Sequence, residues 1–146
     1  MTPSLEQVVA GIKTRLETVD SEVLAVFDHA AADPSEYPCV MILPPTVDYR
    51  QTMRAGIIKL EFRLIVLASS AAGYDEAQAS LWPYLDWAGG QSIFGALEAD
   101  HTLGLTGVDA LVSGPSEPLG LEEIAATETF GASIPFTVHV TRSLTP

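Results

Sequence analysis

Apolar and polar residues alternate along residues 56–68. Ile58, Leu60, Phe62, Leu64 and Val66 fall on one side, and Lys59, Glu61 and Arg63 on the other. A period of two over that length predicts a strand with one face in the core. Beyond Arg63 the second side turns apolar as well, through Ile65 and Leu67. The strand is therefore expected to start partly in water and to end covered on both faces, with the remaining elements arranged around it.

Upstream, Ser4-Leu-Glu-Gln7 has the form of a capping box, and Leu5, Val8, Val9, Ile12, Leu16 and Val19 repeat at helical spacing. A first helix is expected over about 5–19. Val23, Ala25 and Phe27 alternate with Leu24 and Val26, which predicts a short strand, followed by a loop over 30–37 that contains Asp33-Pro34. Residues 37–43 form a mostly apolar run opened by Pro38 and closed by Pro44-Pro45. It reads as a buried strand, because the flanking prolines cannot donate ladder hydrogen bonds. The polar stretch around 44–56 then joins it to the central strand as a long hairpin tip.

Downstream, Ala77, Leu81, Leu85 and Ala88 predict a helix starting near Tyr74 and Asp75, which Pro83 either kinks or shortens to one capped by Ser80. Gly89-Gly90 breaks the chain, and Ser92 caps a brief helix carrying Ile93, Phe94 and Leu97. Residues 105–113 read as a strand, 114–120 as a loop with two prolines, and 134–141 as a final alternating strand. The expected architecture is a single α+β domain over 1–146: a mostly antiparallel sheet of about four to five strands, with two to three helices on one face.

Composition narrows the functional classes. Hydrophobic residues make up 47% and charged residues 18%, enough apolar material for a core in one domain of this length. Nineteen acidic against seven basic residues give a net charge of −12. A sequence-independent grip on nucleic acid or anionic lipid needs the opposite sign. The charges are also unevenly placed: Arg50, Arg54, Lys59 and Arg63 are four of the seven cations, while residues 64–141 hold ten carboxylates and neither Lys nor Arg. With no secretory leader pattern and no long apolar run, a soluble protein made in a cytoplasm is expected.

Motifs for chemistry are scarce. His29, His101 and His139 lie far apart, without the spacing that sets two ligands on one helix face. Cys39 lies within an apolar strand and reads as a small buried hydrophobe rather than a nucleophile. Gly131-Ala-Ser133-Ile-Pro135 resembles a nucleophile elbow, but Pro135 stands where the second glycine belongs and a strand follows instead of a helix. The glycine spacings fit neither a dinucleotide fingerprint nor a phosphate loop. Adjacent acidic residues such as Asp75-Glu76 and Glu122-Glu123 read as a solvated face. Trp82 and Trp87 are five residues apart, on different sides of a helix, so one is expected to pack on the sheet and the other to reach an interface. No catalytic residue, cofactor or metal is expected.

The capped first helix, Tyr37-Pro38-Cys39-Val40, the central strand, Leu81-Trp-Pro-Tyr-Leu85 followed by Ser92-Ile93, and Thr129-Phe-Gly-Ala-Ser-Ile-Pro-Phe-Thr-Val-His-Val140 together resemble the tail terminator and head-tail joining proteins of long-tailed bacteriophages. The resemblance covers nearly the whole chain and rests on the order and spacing of elements. It implies a small structural domain of the virion neck, assembled in the host cytoplasm as a homo-oligomer. The expected assembly is a six-membered ring that caps the tail tube and docks it to head connector proteins. DNA passes through such a ring without specific binding, and no catalytic residues are implied. Other neck proteins, stoppers among them, share this size. In such a ring Arg50, Arg54, Lys59 and Arg63 are candidates to meet Glu122, Glu123 and Glu128 of a neighbour; both groups are equally compatible with solvated faces. A small enzyme with a pocket built from distant residues and a soluble adaptor are the alternatives, and a ring particle would separate the assembly reading from both.

Overall fold

A computed structural model of the chain describes residues 3–19, 25–27, 39–49, 56–69, 74–119 and 129–141. Arg50, Arg54, Glu122, Glu123, Glu128 and the loop expected over 30–37 lie outside the described residues.

The first helix, α1 (Leu5–Glu17), starts where the capping box places it. The Ser4 hydroxyl accepts from the Gln7 amide at 3.2 Å, and Gln7 Oε1 accepts from the Ser4 amide at 2.8 Å. Two helix-end donors that would otherwise lack partners are thereby satisfied. Val8, Ile12 and Leu16, four residues apart, are fully buried, and each such burial stabilises by roughly 1.5–3 kcal/mol.

The strands follow as β1 (Ala25–Phe27), β2 (Cys39–Ile42), β3 (Thr46–Asp48), β4 (Ile57–Ser69), β5 (Val108–Val112), β6 (Glu117–Leu119) and β7 (Thr129–Thr141). They form one seven-stranded sheet in the order β1-β2-β4-β7-β5. Strand β3 lies beside β4, in line with β2, and β6 lies beside β7, in line with β5. Among the described strands only β1 and β2 run parallel. The fold is α+β with a mostly antiparallel sheet, as expected, but with more strands. The additional ones, β3 and β6, are three residues each, too short for alternation to show. The β6 segment also carries Pro118, a residue that sheets admit at their edges.

The sheet is centred on β4 and β7, which pair over their full 13-residue lengths from Ile57↔Thr141 to Ser69↔Thr129, a ladder about 40 Å long. Strand β7 begins five residues before the predicted start at 134, because Gly131 and Pro135 interrupt the alternation. Pro135 is tolerated for a geometric reason. Its carbonyl accepts from the Ser113 amide at 3.1 Å, so its nitrogen also points away from β4, into the gap between β5 and β6. The donor that proline lacks is not needed there.

Helices α2 (Tyr74–Leu85) and α3 (Ile93–Glu98) join α1 on one face of the sheet. The buried side chains of all three belong to one cluster with Val40, Ile42, Leu60, Phe62, Leu64, Val66, Ile134, Phe136 and Val138. Helix α2 continues through Pro83 to Leu85, so Ser80 does not cap a shorter helix. Leu81 and Tyr84 bury. Neither tryptophan packs on the sheet, although one of the two was expected to: Trp82 is 62% exposed and Trp87 82% exposed. The apolar i, i+3 pair Leu81 and Tyr84 already occupies the inward side of that turn.

Short polar contacts fix the helices to one another. Ser92, almost fully buried, caps α3 by accepting from the Gly95 amide at 2.9 Å and donates to the Asp86 carbonyl at 2.5 Å, just beyond the end of α2. From α1, Arg15 donates through Nε and Nη2 to the Ala96 carbonyl at 3.1 and 3.0 Å. Gly11 lies against Leu103, where an added Cβ would come within 2.9 Å of the Leu103 Cβ and carbonyl oxygen. Removing the Ser92 hydroxyl loses both a cap and a bridge. The Ser92→Ala variant is expected to be destabilised by about 1–2 kcal/mol in urea unfolding, with the m-value unchanged.

Candidate subunit-contact surface

Alternation along β4 divides the sheet face opposite the helices. Towards the end of β4, Cys39, Met41, Ile65 and Leu67 form a second buried cluster, with Ala25, Phe27 and Leu43 packed partly against it. Towards its start the same face is polar. Register places Asp48, Lys59, His139 and Asp109 in one row across β3, β4, β7 and β5, and Thr46, Glu61, Thr137 and Leu111 in the next. Cross-strand neighbours of this kind lie close enough to interact.

Lys59 is largely satisfied within the chain. Its Nζ lies 2.9 Å from Glu61 Oε1, and Asp48 is its neighbour in the row. The cationic character read from the sequence is thus offset at this position by carboxylates on the same face. Arg63 is exposed and forms no ion pair among the described residues. It borders a shallow depression of about 450 Å³ together with Leu43, Pro44, Thr46, Glu61, Ser113 and Thr137. Of the seven residues proposed for the contact, the structure therefore places Lys59 and Arg63 on one face, and the other five lie outside the described residues.

Thr137, only 7% exposed, is buried in this polar half. Among the described residues its hydroxyl has no hydrogen-bond partner, an uncommon state for a buried polar group.

A second recess, of about 420 Å³, opens beside α2 and α3, where Tyr84, Trp87, Phe94, Val112 and Ile134 are joined by Asp86. Phe94 is 41% exposed. Alternation alone gave no signal for this recess, because Trp87 lies past the end of α2 and Val112 reaches it from a strand distant in sequence. Ser113 borders both depressions.

The histidines and the cysteine have structural settings. His101 Nδ1 lies 2.9 Å from the Ala110 carbonyl, and Nε2 lies 3.4 Å from Glu98 Oε2. The nitrogen facing a carbonyl carries the hydrogen. The His101 carbonyl in turn accepts from the Ala110 amide at 2.7 Å, and Glu98 Oε1 accepts from the Val112 amide at 3.2 Å. The outer edge of β5 is thereby occupied by the chain's own groups. In the adjoining turn, hydrogen bonds from the Thr102 hydroxyl and amide hold the Asp100 carboxyl below the usual carboxylate range, with a smaller contribution from Arg15. Burial pushes the Cys39 thiol up to about 11, which leaves it almost entirely protonated at neutral pH and a poor nucleophile. Among the described residues no three His, Cys, Asp or Glu side chains gather as a metal site.

No protein-family model matches the chain, and no curated protein matches it in sequence.

Two outcomes follow from these environments. Native protein at pH 8 should resist thiol alkylation and become reactive on unfolding. Because the folded thiol ionises near 11 instead of near 9.0, its contribution to stability is complete below pH 9 and lost as pH rises towards 11. Chemical denaturation of Cys39→Ala should lack that part of the alkaline slope. Separately, Thr137→Val removes an unpartnered hydroxyl while keeping the shape, and should leave stability unchanged or raise it by up to about 1 kcal/mol. A clear loss in thermal melting would show that the hydroxyl is bonded.

Proposed function

We propose that the chain is a structural subunit of a bacteriophage neck. In this reading it is a tail terminator whose copies close into a six-membered ring, cap the tail tube and dock it to the head connector. The capped first helix, the long central strand and the Ser92-capped helix that contribute to the resemblance are present, with one strand more before α2 and one more after α3 than expected. The observation that carries the reading is the two-sidedness of the subunit. Helices cover one face of the sheet, whereas the opposite face keeps an open polar half with Arg63 at its surface. Two unlike surfaces on one chain suit head-to-tail contact, which closes into a ring when the rotation between neighbours permits.

Charge supports the same reading. A net charge of −12, with ten carboxylates and no Lys or Arg over residues 64–141, favours a lining that repels passing DNA. The subunit needs no cofactor and performs no reaction in this role; its partners are copies of itself, the tail tube protein and the connector proteins of the head.

Negative-stain electron microscopy and native mass spectrometry of the purified chain, alone and with tail tubes, should reveal open-centred particles of six copies. A chain that stays monomeric even with tail tubes present is not a terminator. The Arg50→Glu, Arg54→Glu variant should lose the ring or need at least tenfold more protein to form it, and unchanged assembly would remove the cationic segment from the contact.

A further inference from the structure

The aromatic recess beside α2 and α3 has no assigned role in the fold. Trp87, 82% exposed, and Phe94, 41% exposed, stand at its mouth, while Tyr84 and Ile134 line it from the core side. Large aromatic side chains left in water beside a concave surface mark contact sites. The charge around the recess selects the partner. Asp86 is among its lining residues, and among the described residues no Lys or Arg lines it. Aromatic faces beside carboxylates favour a guanidinium or ammonium group, through cation–π attraction and ion pairing.

Four of the chain's seven cations lie close together in sequence. Arg50, Arg54, Lys59 and Arg63 fall within fourteen residues of sequence, and Arg63 is exposed with no ion pair among the described residues. Arg63 cannot fill its own recess. It alternates with Phe62 and Leu64, which face the helices, so it points to the opposite side of the sheet. The recess and Arg63 are thus complementary surfaces that open on different sides of one subunit.

We infer that the recess formed by Tyr84, Asp86, Trp87 and Phe94 receives the Arg63-bearing face of a second copy of this chain. This rests on the ring reading and names its contact. It moves the acceptor from the acidic segment around Glu122 to an aromatic recess with a carboxylate at its edge. The contact is heterologous, since each copy offers a recess on one side and an arginine on the other.

Two variants and their mixture test the pairing by sedimentation velocity. Trp87→Ala, Phe94→Ala breaks the recess and keeps the arginine; Arg63→Glu does the reverse. Both change exposed side chains, and circular dichroism should show native folding. Each alone should require at least tenfold more protein to assemble than the unmodified chain. Their equimolar mixture should form one-to-one pairs and no closed particle, because one good contact per pair remains and both outer ends are broken. In a Trp82→Phe background, where Trp87 is the sole tryptophan, assembly should shift its emission to the blue and shield it from acrylamide.

Normal rings from the Trp87→Ala, Phe94→Ala variant would overturn the recess contact and leave the ring reading intact. A mixture that forms no pairs would show that these two surfaces do not meet. If the unmodified chain never oligomerises, the ring reading fails and the contact fails with it.

Discussion

The long pairing of β4 with β7 is the constraint on which the rest of the fold depends. From Ile58 to Leu64 both strands must keep their apolar residues on the side of the helices, and they do: Ile58 faces Val140, Leu60 faces Val138, Phe62 faces Phe136 and Leu64 faces Ile134. A slip by one residue would turn Lys59, Glu61 and Arg63 into the helical layer and expose the phenylalanines. That penalty fixes the register. The fixed register in turn decides where β3 and β6 can attach, which face receives the helices, and where the charged row of Asp48, Lys59, His139 and Asp109 lies.

The parts of this fold that were legible in the sequence are those governed by local chemistry and simple periodicity. The Ser4–Gln7 capping box, the Ser92 cap and the alternation in β4 each have a physical signature within a few residues, and each marks the element found there. The parts that were not legible depend on contacts distant along the chain. Pro135 argues against a central strand until the gap between β5 and β6 is known. Pro83 argues for a broken helix, yet α2 continues for two further residues. Trp82 is large and apolar enough to suggest burial, but Leu81 and Tyr84 already fill the side of the helix that meets the sheet. For the candidate contact, sequence charge singled out Arg63 but could not show that Lys59 is matched by Glu61. Nor could it show the aromatic recess, which is assembled from α2, α3, β5 and β7.

The distribution of polar groups also separates two kinds of surface. On the helical side, polar atoms serve the fold: Arg15, Ser92 and Glu98 each satisfy a backbone group of a neighbouring element. On the polar half of the other face, the exposed Arg63 side chain serves no such contact among the described residues. Groups that complete the fold and groups left available are thus on opposite sides of one sheet, which gives the subunit a direction.

The outer edge of β5 has a consequence for how copies of the chain can associate. Ala110 meets the His101 backbone and ring, and Val112 meets the Glu98 carboxylate. These main-chain groups would otherwise invite a strand from another molecule. With these three groups occupied, a strand from a neighbouring molecule finds few of this edge's donors and acceptors open for pairing into a continuous hydrogen-bonded ribbon, the route to fibres that rarely come apart. Association at this margin is left chiefly to side chains. Such contacts form and release readily, so misplaced copies can separate and try again.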